Sequence, residues 1–333
     1  RICLDDWATM FARCYETVGI TKKDRIQITP GYGLWTAGIG FQAGCEKLGA
    51  MAVPMGPGNT DKQIQMMIDL ETTVLTATSS YALLLAEEIN KRGIRDQIHL
   101  KKGVFGSERW SEKMRKYIKN ELGIELYDIY GLTEIYGPGI GISCSENAGM
   151  HYWDDYVYIE IVDPKTLQPV ADGEEGEIVI TTLVKEGAPL LSFRSHDISR
   201  IIPGTCACGR TYPRLDMIKG RSDDMFKVHG VNMFPSQVEE ILGMIDGVSS
   251  EYNINIAHDE SNNRDIIMVK AEAEGRVDFE AAGQKIKELF KSKMSVTPKV
   301  TIVPVGTLPR TEKKAKRQSR QQTARPIRLA YYS

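Results

Sequence analysis

Long apolar runs, a surplus of charge of either sign and a dense cysteine framework are all missing from this chain. Its most apolar stretch, residues 34–54, is broken by Glu46 and Lys47, so it reads as a buried helix and strand and not as a membrane span. With 42 Lys and Arg against 44 Asp and Glu, the net charge of −2 offers no excess cation to displace counterions from a polyanion, which excludes nucleic acid as a partner. Six cysteines in 333 residues are too few for a disulfide scaffold. The opening Arg1-Ile2-Cys3-Leu4-Asp5-Asp6 lacks the basic cap and apolar core of a secretory signal, and the expectation is a cytoplasmic protein without a membrane partner. Internal repeats are absent as well. Positive charge gathers only late, where Lys313, Lys314, Lys316, Arg317, Arg320, Arg325 and Arg328 follow Arg310 against the single acid Glu312.

What the chain does have is alternation of helix and strand. Trp7, Met10, Phe11 and Tyr15 recur at helical spacing between Asp5 and Val18, and Gly19 stops the helix. A short strand follows at Arg25 to Thr29, then an apolar helix to Gly49, and a buried strand at Ala50 to Met55. A helix capped by Asn59 or Thr60, a strand at Thr73 to Ala77 and a helix capped by Ser79 or Ser80 come next. Gly103 to Phe105 is a strand, Ser111 opens a helix to Leu122, and Glu125 to Ile129 is a strand again. Such alternation predicts an α/β fold: a mostly parallel sheet covered by helices, with ligands beyond the carboxyl ends of its strands, near Gly31, Gly106 and Gly131. From Tyr152 to Ile202 the pattern becomes strand-rich, and after Asp223 a small α+β domain begins. The expected division is 1–222, 223–317 and a disordered basic tail over 318–333.

Four segments carry chemistry. Tyr130-Gly131-Leu132-Thr133-Glu134 offers a hydroxyl for a phosphate and a carboxylate for a hard cation. In Phe193-Arg194-Ser195-His196-Asp197, the acid suits a ribose diol. Gly220-Arg221-Ser222-Asp223-Asp224 follows, and Pro309-Arg310-Thr311-Glu312-Lys313-Lys314 carries a cation suited to a developing phosphoryl anion. Each alone has a bland reading as a turn, a strand end or a solvated charge cluster. A further pattern is Cys206-Ala207-Cys208-Gly209, a tight thiol pair that would complete a tetrahedral zinc site with Cys144 and His151; the alternative is four ordinary reduced side chains. Such a zinc would be structural, because four protein ligands leave no open position. Cys3, Cys14 and Cys45 read as small core residues.

In their order and spacing the four segments resemble those of the adenylate-forming enzymes, and among these the phenylacetate–coenzyme A ligases. The resemblance implies an AMP-forming acid–thiol ligase that activates an aryl carboxylate with ATP and passes the acyl group to coenzyme A. Thr133 would bind the α-phosphate and Glu134 would hold Mg²⁺. Tyr130 would lie against the adenine, with Gly106, Ser107 and Glu108 lining the base and Asp128 and Gly131 completing the nucleotide set. Asp197 would take the ribose hydroxyls, Arg221 would stand near ribose or phosphate, and Lys314 would neutralise the α-phosphate. Asp223 sits at the family's interdomain hinge, and Gly230 marks where a pantetheine arm passes close to backbone. Tyr32, Gly33 and Phe105, with Trp35 and Trp110 nearby, resemble the aryl pocket.

Two features depart from the family. Lys313 stands where a glycine usually precedes the lysine, and the Ser/Thr/Gly-rich phosphate loop has no counterpart ahead of Asp5, as though the chain began inside the family's first domain. Two other readings therefore stay open: transfer to another acyl acceptor, and a truncated, catalytically silent nucleotide-binding fragment. A homodimer is compatible with the sequence, which fixes no oligomeric state.

Overall fold

The structure is a computed structural model that describes residues 2–33, 36–108, 110–223, 226–228, 231–259, 264–308 and 318–320. These fall into two compact units, one ending at Asp223 and the other beginning after it.

The first unit alternates as its sequence pattern demands. Its elements begin with α1 (Ile2–Thr17), β1 (Arg25–Ile28), α2 (Thr36–Leu48), β2 (Met51–Pro54), α3 (Thr60–Asp69), β3 (Val74–Thr78) and α4 (Ser79–Arg92). Then come β4 (Lys102–Gly106), α5 (Glu112–Leu122), β5 (Glu125–Leu132), β6 (Gly137–Ser143), β7 (Met150–Tyr152), β8 (Val157–Val162) and β9 (Gly176–Thr182). The unit closes with β10 (Phe193–Ser199), β11 (Ile201–Ile202), β12 (Arg214–Leu215) and β13 (Gly220–Arg221).

The main sheet has nine strands in the order β11-β12-β7-β6-β5-β4-β3-β1-β2. From β2 to β5 the neighbours run parallel, because each crossover carries a helix; from β5 to β11 they are antiparallel, joined by turns and loops. One face is covered by α1 and α2, whose Trp7, Phe11, Tyr15 and Phe41 pack with Ile26, Val104 and Ile129. The other is covered by α3, α4 and α5, whose Met67, Leu85 and Ile118 pack with Leu75 and Phe105. Both clusters are fully or nearly fully buried, and each large side chain contributes about 1.5–3 kcal/mol by leaving water. A second, antiparallel sheet has the order β13-β10-β9-β8.

Two local expectations need correction. The strand at β2 is an edge strand with only Val53 buried, since no strand among the described residues pairs beyond it. The cap of α4 is Thr78 and not Ser79 or Ser80: its hydroxyl accepts from the Tyr81 N–H while its backbone is still extended.

In the second unit, β14 (Phe226–Val228) and β15 (Val231–Met233) form a hairpin. After it come α6 (Pro235–Gly243), β16 (Val248–Asp259), β17 (Arg264–Ala273), α7 (Phe279–Met294), β18 (Lys299–Pro304) and β19 (Gln318–Arg320). Its sheet, ordered β18-β17-β16-β19, packs Ile254 and Val269 against Ile241, Ile286 and Phe290 from the two helices. The tail reading is therefore corrected over residues 318–320, which pair in parallel with β16; the open edge of that long strand offers them unpaired backbone groups. Among the described residues no helix is long and apolar enough to cross a membrane.

Between β5 and β6 the register shifts at Tyr130/Gly131, and the two backbones nearly touch there. A Cβ on Gly131 would lie 2.1 Å from the Gly137 carbonyl oxygen. This glycine is demanded by the neighbouring strand. Gly131→Ala is expected to destabilise the first unit by about 1–3 kcal/mol, read as a lower urea midpoint; an unchanged midpoint contradicts the close approach.

Candidate functional site

The carboxyl ends of the parallel strands bring several of the expected residues together. At the end of β5, Thr133 and Glu134 stand exposed on a turn whose Ile135 N–H donates to the Leu132 carbonyl at 3.1 Å. Three residues earlier, the ring of Tyr130 is buried in the first core, and its hydroxyl donates to Asp197 Oδ2 at 2.8 Å. Asp197, on β10, pairs across the ladder with Arg221 of β13, whose Nη1 lies 3.4 Å from Asp197 Oδ1. The same guanidinium forks onto Asp223, with both bonds at 2.8 Å. Burial, and then the Asp197 charge, pushes the Tyr130 hydroxyl well above its ordinary pKa, which keeps it a donor. Hydrogen bonding to Arg221 holds the Asp223 carboxyl below the usual range.

The turn's own support was not foreseen from the sequence. Lys185 donates from Nζ to the Glu134 carbonyl oxygen at 2.7 Å and lies 5.4 Å from the centre of the Tyr136 ring. Burial lowers its pKa against the pull of Cys3 and Glu134. Nor was Glu177 singled out, although a charged residue at an inward position of the strand Gly176-Glu177-Ile178 was a usable signal. No local signal marked Lys185, because its partner is a backbone carbonyl fifty-one positions away.

The Gly106-Ser107-Glu108 segment follows β4 directly. A Cβ on Gly106 would lie 2.5 Å from the Ile129 carbonyl oxygen, so this glycine too answers to its neighbouring strand. Ser107 adopts a positive φ of 67°, a conformation that costs a side chain energy and turns the backbone sharply past the strand end. Glu108 accepts from the Ser80 N–H at 3.0 Å and from the Ser79 hydroxyl at 3.3 Å, holding the first turn of α4.

Several expected placements are corrected. Asp128 does not present its carboxylate at the strand end: its oxygens accept from Trp110 Nε1 and Arg115, and it is buried. Burial raises its pKa while Arg115 and Trp110 oppose the rise. Phe105 has no exposed surface and meets Trp110 edge-on, with ring centroids 5.6 Å apart. It belongs to the core under α3–α5, whereas Tyr32 packs on the opposite face of the sheet. The two rings thus pack with different core clusters. Tyr32 is half-buried, with its pKa pushed by burial to about 12, and Gly33 turns at a φ of 79°. Lys313, Lys314, His229, Gly230 and Trp35 lie outside the described residues. Tyr130, expected against adenine, uses its hydroxyl to fix Asp197 and keeps its ring within the core.

A separate cluster lies at the other end of β6. Cys144, His151, Cys206 and Cys208 place their ligand atoms within 4.8 Å of one another. Cys144 Sγ is 3.7 Å from Cys206 Sγ, and Cys208 Sγ is 3.3 Å from His151 Nε2. His151 Nδ1 lies 3.0 Å from the Tyr212 carbonyl oxygen, which accepts only from a protonated nitrogen and so leaves the Nε2 lone pair to face the thiols. Burial raises the Cys144 thiol; the Cys208 thiol is lowered, with burial outweighed by hydrogen bonds from Arg210 and the neighbouring thiols. Buried Arg214 ties the loop from within by donating to the carbonyls of Ala148 and Gly204 at 3.1 and 3.2 Å.

Residues 8–183 match the AMP-binding enzyme family, and residues 230–320 match the AMP-binding enzyme C-terminal domain. The chain is 40% identical over 321 residues to a phenylacetate-coenzyme A ligase of Escherichia coli K12, covering 94% of this chain and 72% of that protein. It is 38% identical over 320 residues to a phenylacetate-coenzyme A ligase of Pseudomonas putida, with the same two shares. A crystal structure of 2-hydroxyisobutyryl-CoA ligase in complex with R3-HIB-AMP superposes with a TM-score of 0.87 at 26% identity, over 95% of this chain and 70% of that one. The chain therefore belongs to the phenylacetate–coenzyme A ligase family of AMP-binding enzymes, and it is an AMP-forming acid–thiol ligase that joins an acid to coenzyme A through an acyl-AMP.

Proposed function

We propose that the acid is an aryl carboxylate such as phenylacetate, and that its activation takes place where Thr133 and Glu134 meet the Tyr130–Asp197–Arg221 network. What carries this reading is that one strand, β5, ends in the exposed Thr133-Glu134 turn while its Tyr130 fixes the carboxylate of Asp197. Ordinary relatives named for phenylacetate support the choice of acid.

A carboxylate does not accept a thiol, because the group leaving its carbonyl would be oxide. Attack of the carboxylate oxygen on the α-phosphorus of ATP breaks the bond to pyrophosphate and leaves an acyl-phosphate anhydride. The coenzyme A thiol then attacks the acyl carbon, and AMP departs. Positioning and charge stabilisation are the protein's contribution. Thr133 donates its hydroxyl to the α-phosphate, and Asp197, oriented by Tyr130 and Arg221, receives the ribose hydroxyls. Glu134 is the residue that would hold Mg²⁺, an oxygen-seeking cation that spreads phosphate charge when bound. Lys314, through its motif, is assigned to the α-phosphate, Asp223 to the hinge and Gly230 to the pantetheine arm.

Cys144, His151, Cys206 and Cys208 fit a structural zinc. Zinc–sulfur arms of about 2.3 Å imply sulfur–sulfur edges of about 3.8 Å in a tetrahedron, close to the Cys144–Cys206 separation of 3.7 Å. Extending the β5–β6 register places Cys144 beside Tyr127, roughly 20 Å along the strand from Thr133 at about 3.3 Å per residue. The metal would thus clip the loop before β12 and take no part in chemistry.

Three outcomes are expected. Mass spectrometry of the enzyme with phenylacetate, ATP and coenzyme A should find phenylacetyl-coenzyme A and AMP; accumulation of acyl-AMP with coenzyme A left unacylated would rule out the thiol acceptor. Lys314→Ala should cut pyrophosphate exchange by about 100-fold or more while ATP still binds, and an undiminished rate would move the role to Lys313. Metal analysis of the purified protein should give one zinc per chain, lost in Cys206→Ser together with a lower melting temperature; metal-free native protein with an unchanged melt would exclude the clip.

A further inference from the structure

Glu177 is a carboxylate with no exposed side-chain surface, at the start of β9. Three side chains converge on it. Arg194 forks onto it, with Nε donating to Oε1 at 2.8 Å and Nη2 to Oε2 at 2.7 Å. The Ser222 hydroxyl donates to Oε2 at 2.9 Å, and His196 Nδ1 lies 3.4 Å from Oε1. His196 Nδ1 and Ser222 Oγ are themselves 3.2 Å apart. Burial alone would raise the carboxyl, yet these donors hold it below its ordinary value, so it stays ionised.

The partners' positions matter more than their number. His196 directly precedes Asp197 on β10, and Ser222 directly follows Arg221 on β13. The Ser222 N–H donates to the His196 carbonyl at 2.7 Å, so this pair forms the rung of the ladder next to Asp197–Arg221. His196 itself is held at a φ of +65°, a strained conformation that needs outside support. A register shift between β9 and β10 spans the same residues, so the regular ladder does not supply that support.

We propose that Glu177 is a positioning residue of the nucleotide site, acting through Ser222 and His196 to hold Asp197 and Arg221 in the arrangement that receives the ribose. This rests on the reading that places AMP at Asp197. The bland alternative is a buried ion pair that merely joins two strands, and it makes a different prediction. A clip of that kind lowers the melting temperature and leaves the affinity of the folded enzyme for AMP unaltered.

The test is calorimetric titration of the enzyme with AMP, for Glu177→Gln, Ser222→Ala and the double variant, each checked for folding by circular dichroism. Glu177→Gln is expected to weaken AMP roughly tenfold and Ser222→Ala roughly threefold, with the double variant no weaker than Glu177→Gln, since both act along one path. Native affinity in folded Glu177→Gln, or losses that multiply in the double variant, overturns the proposal. Should Glu177→Gln fail to fold, Ser222→Ala decides alone: weakened AMP supports the proposal, and native affinity overturns it. Unmodified enzyme that neither binds AMP nor exchanges pyrophosphate would sink the functional reading and this inference together. Unmodified enzyme that does both, beside variants of native affinity, overturns the inference only.

Discussion

The hydrogen bond from Tyr130 to Asp197 joins two sheets that otherwise have separate ladders. Tyr130 belongs to β5, at the centre of the nine-stranded sheet, and Asp197 to β10 of the four-stranded one. A buried carboxylate requires donors, and the tyrosine hydroxyl on one side and Arg221 on the other are two of them. Satisfying Asp197 therefore orients the strand that ends in Thr133 and Glu134 with respect to the strand pair that carries Arg221. The proposed nucleotide site depends on that orientation, because its hydroxyl, carboxylates and guanidinium come from elements up to about ninety positions apart.

The first unit separates two kinds of work along the same strands. At one end, exposed oxygen donors on short turns remain available to a charged ligand. At the other, thiols and an imidazole close on one another below Arg214, remote from the turn at Thr133. Strands β5 and β6 link the two ends through a backbone contact so tight that Gly131 has no room for a side chain. Rigidity of this kind suits an enzyme whose rate comes from holding charges in place before they are needed.

Much of the fold was legible because its signals are local. Trp7, Phe11 and Tyr15 recur at the spacing of one helix face, Ser111 caps α5 as its position ahead of an apolar periodic run implies, and Gly123 ends it. The cysteine–histidine set was also legible, since two thiols in one turn with a third and an imidazole upstream suggest few arrangements. The placement of the Phe105 and Asp128 side chains was not legible, because both are drawn into the packing around Trp110 and Arg115, which no local pattern announces. Gln318–Arg320 escaped notice because their pairing partner is an open strand edge, not a feature of their own composition.

From the sequence alone came the alternation of elements, the ordered nucleotide motifs and hence the family, because these depend on residue type and spacing along the chain. Only the tertiary structure decided that Tyr130 acts through its hydroxyl, that Glu108 holds the first turn of α4, that Lys185 braces the turn and that Glu177 gathers Arg194, His196 and Ser222. Those are contacts between residues distant in the chain, and their existence turns on register and burial. A linear pattern specifies neither until the sheets have closed.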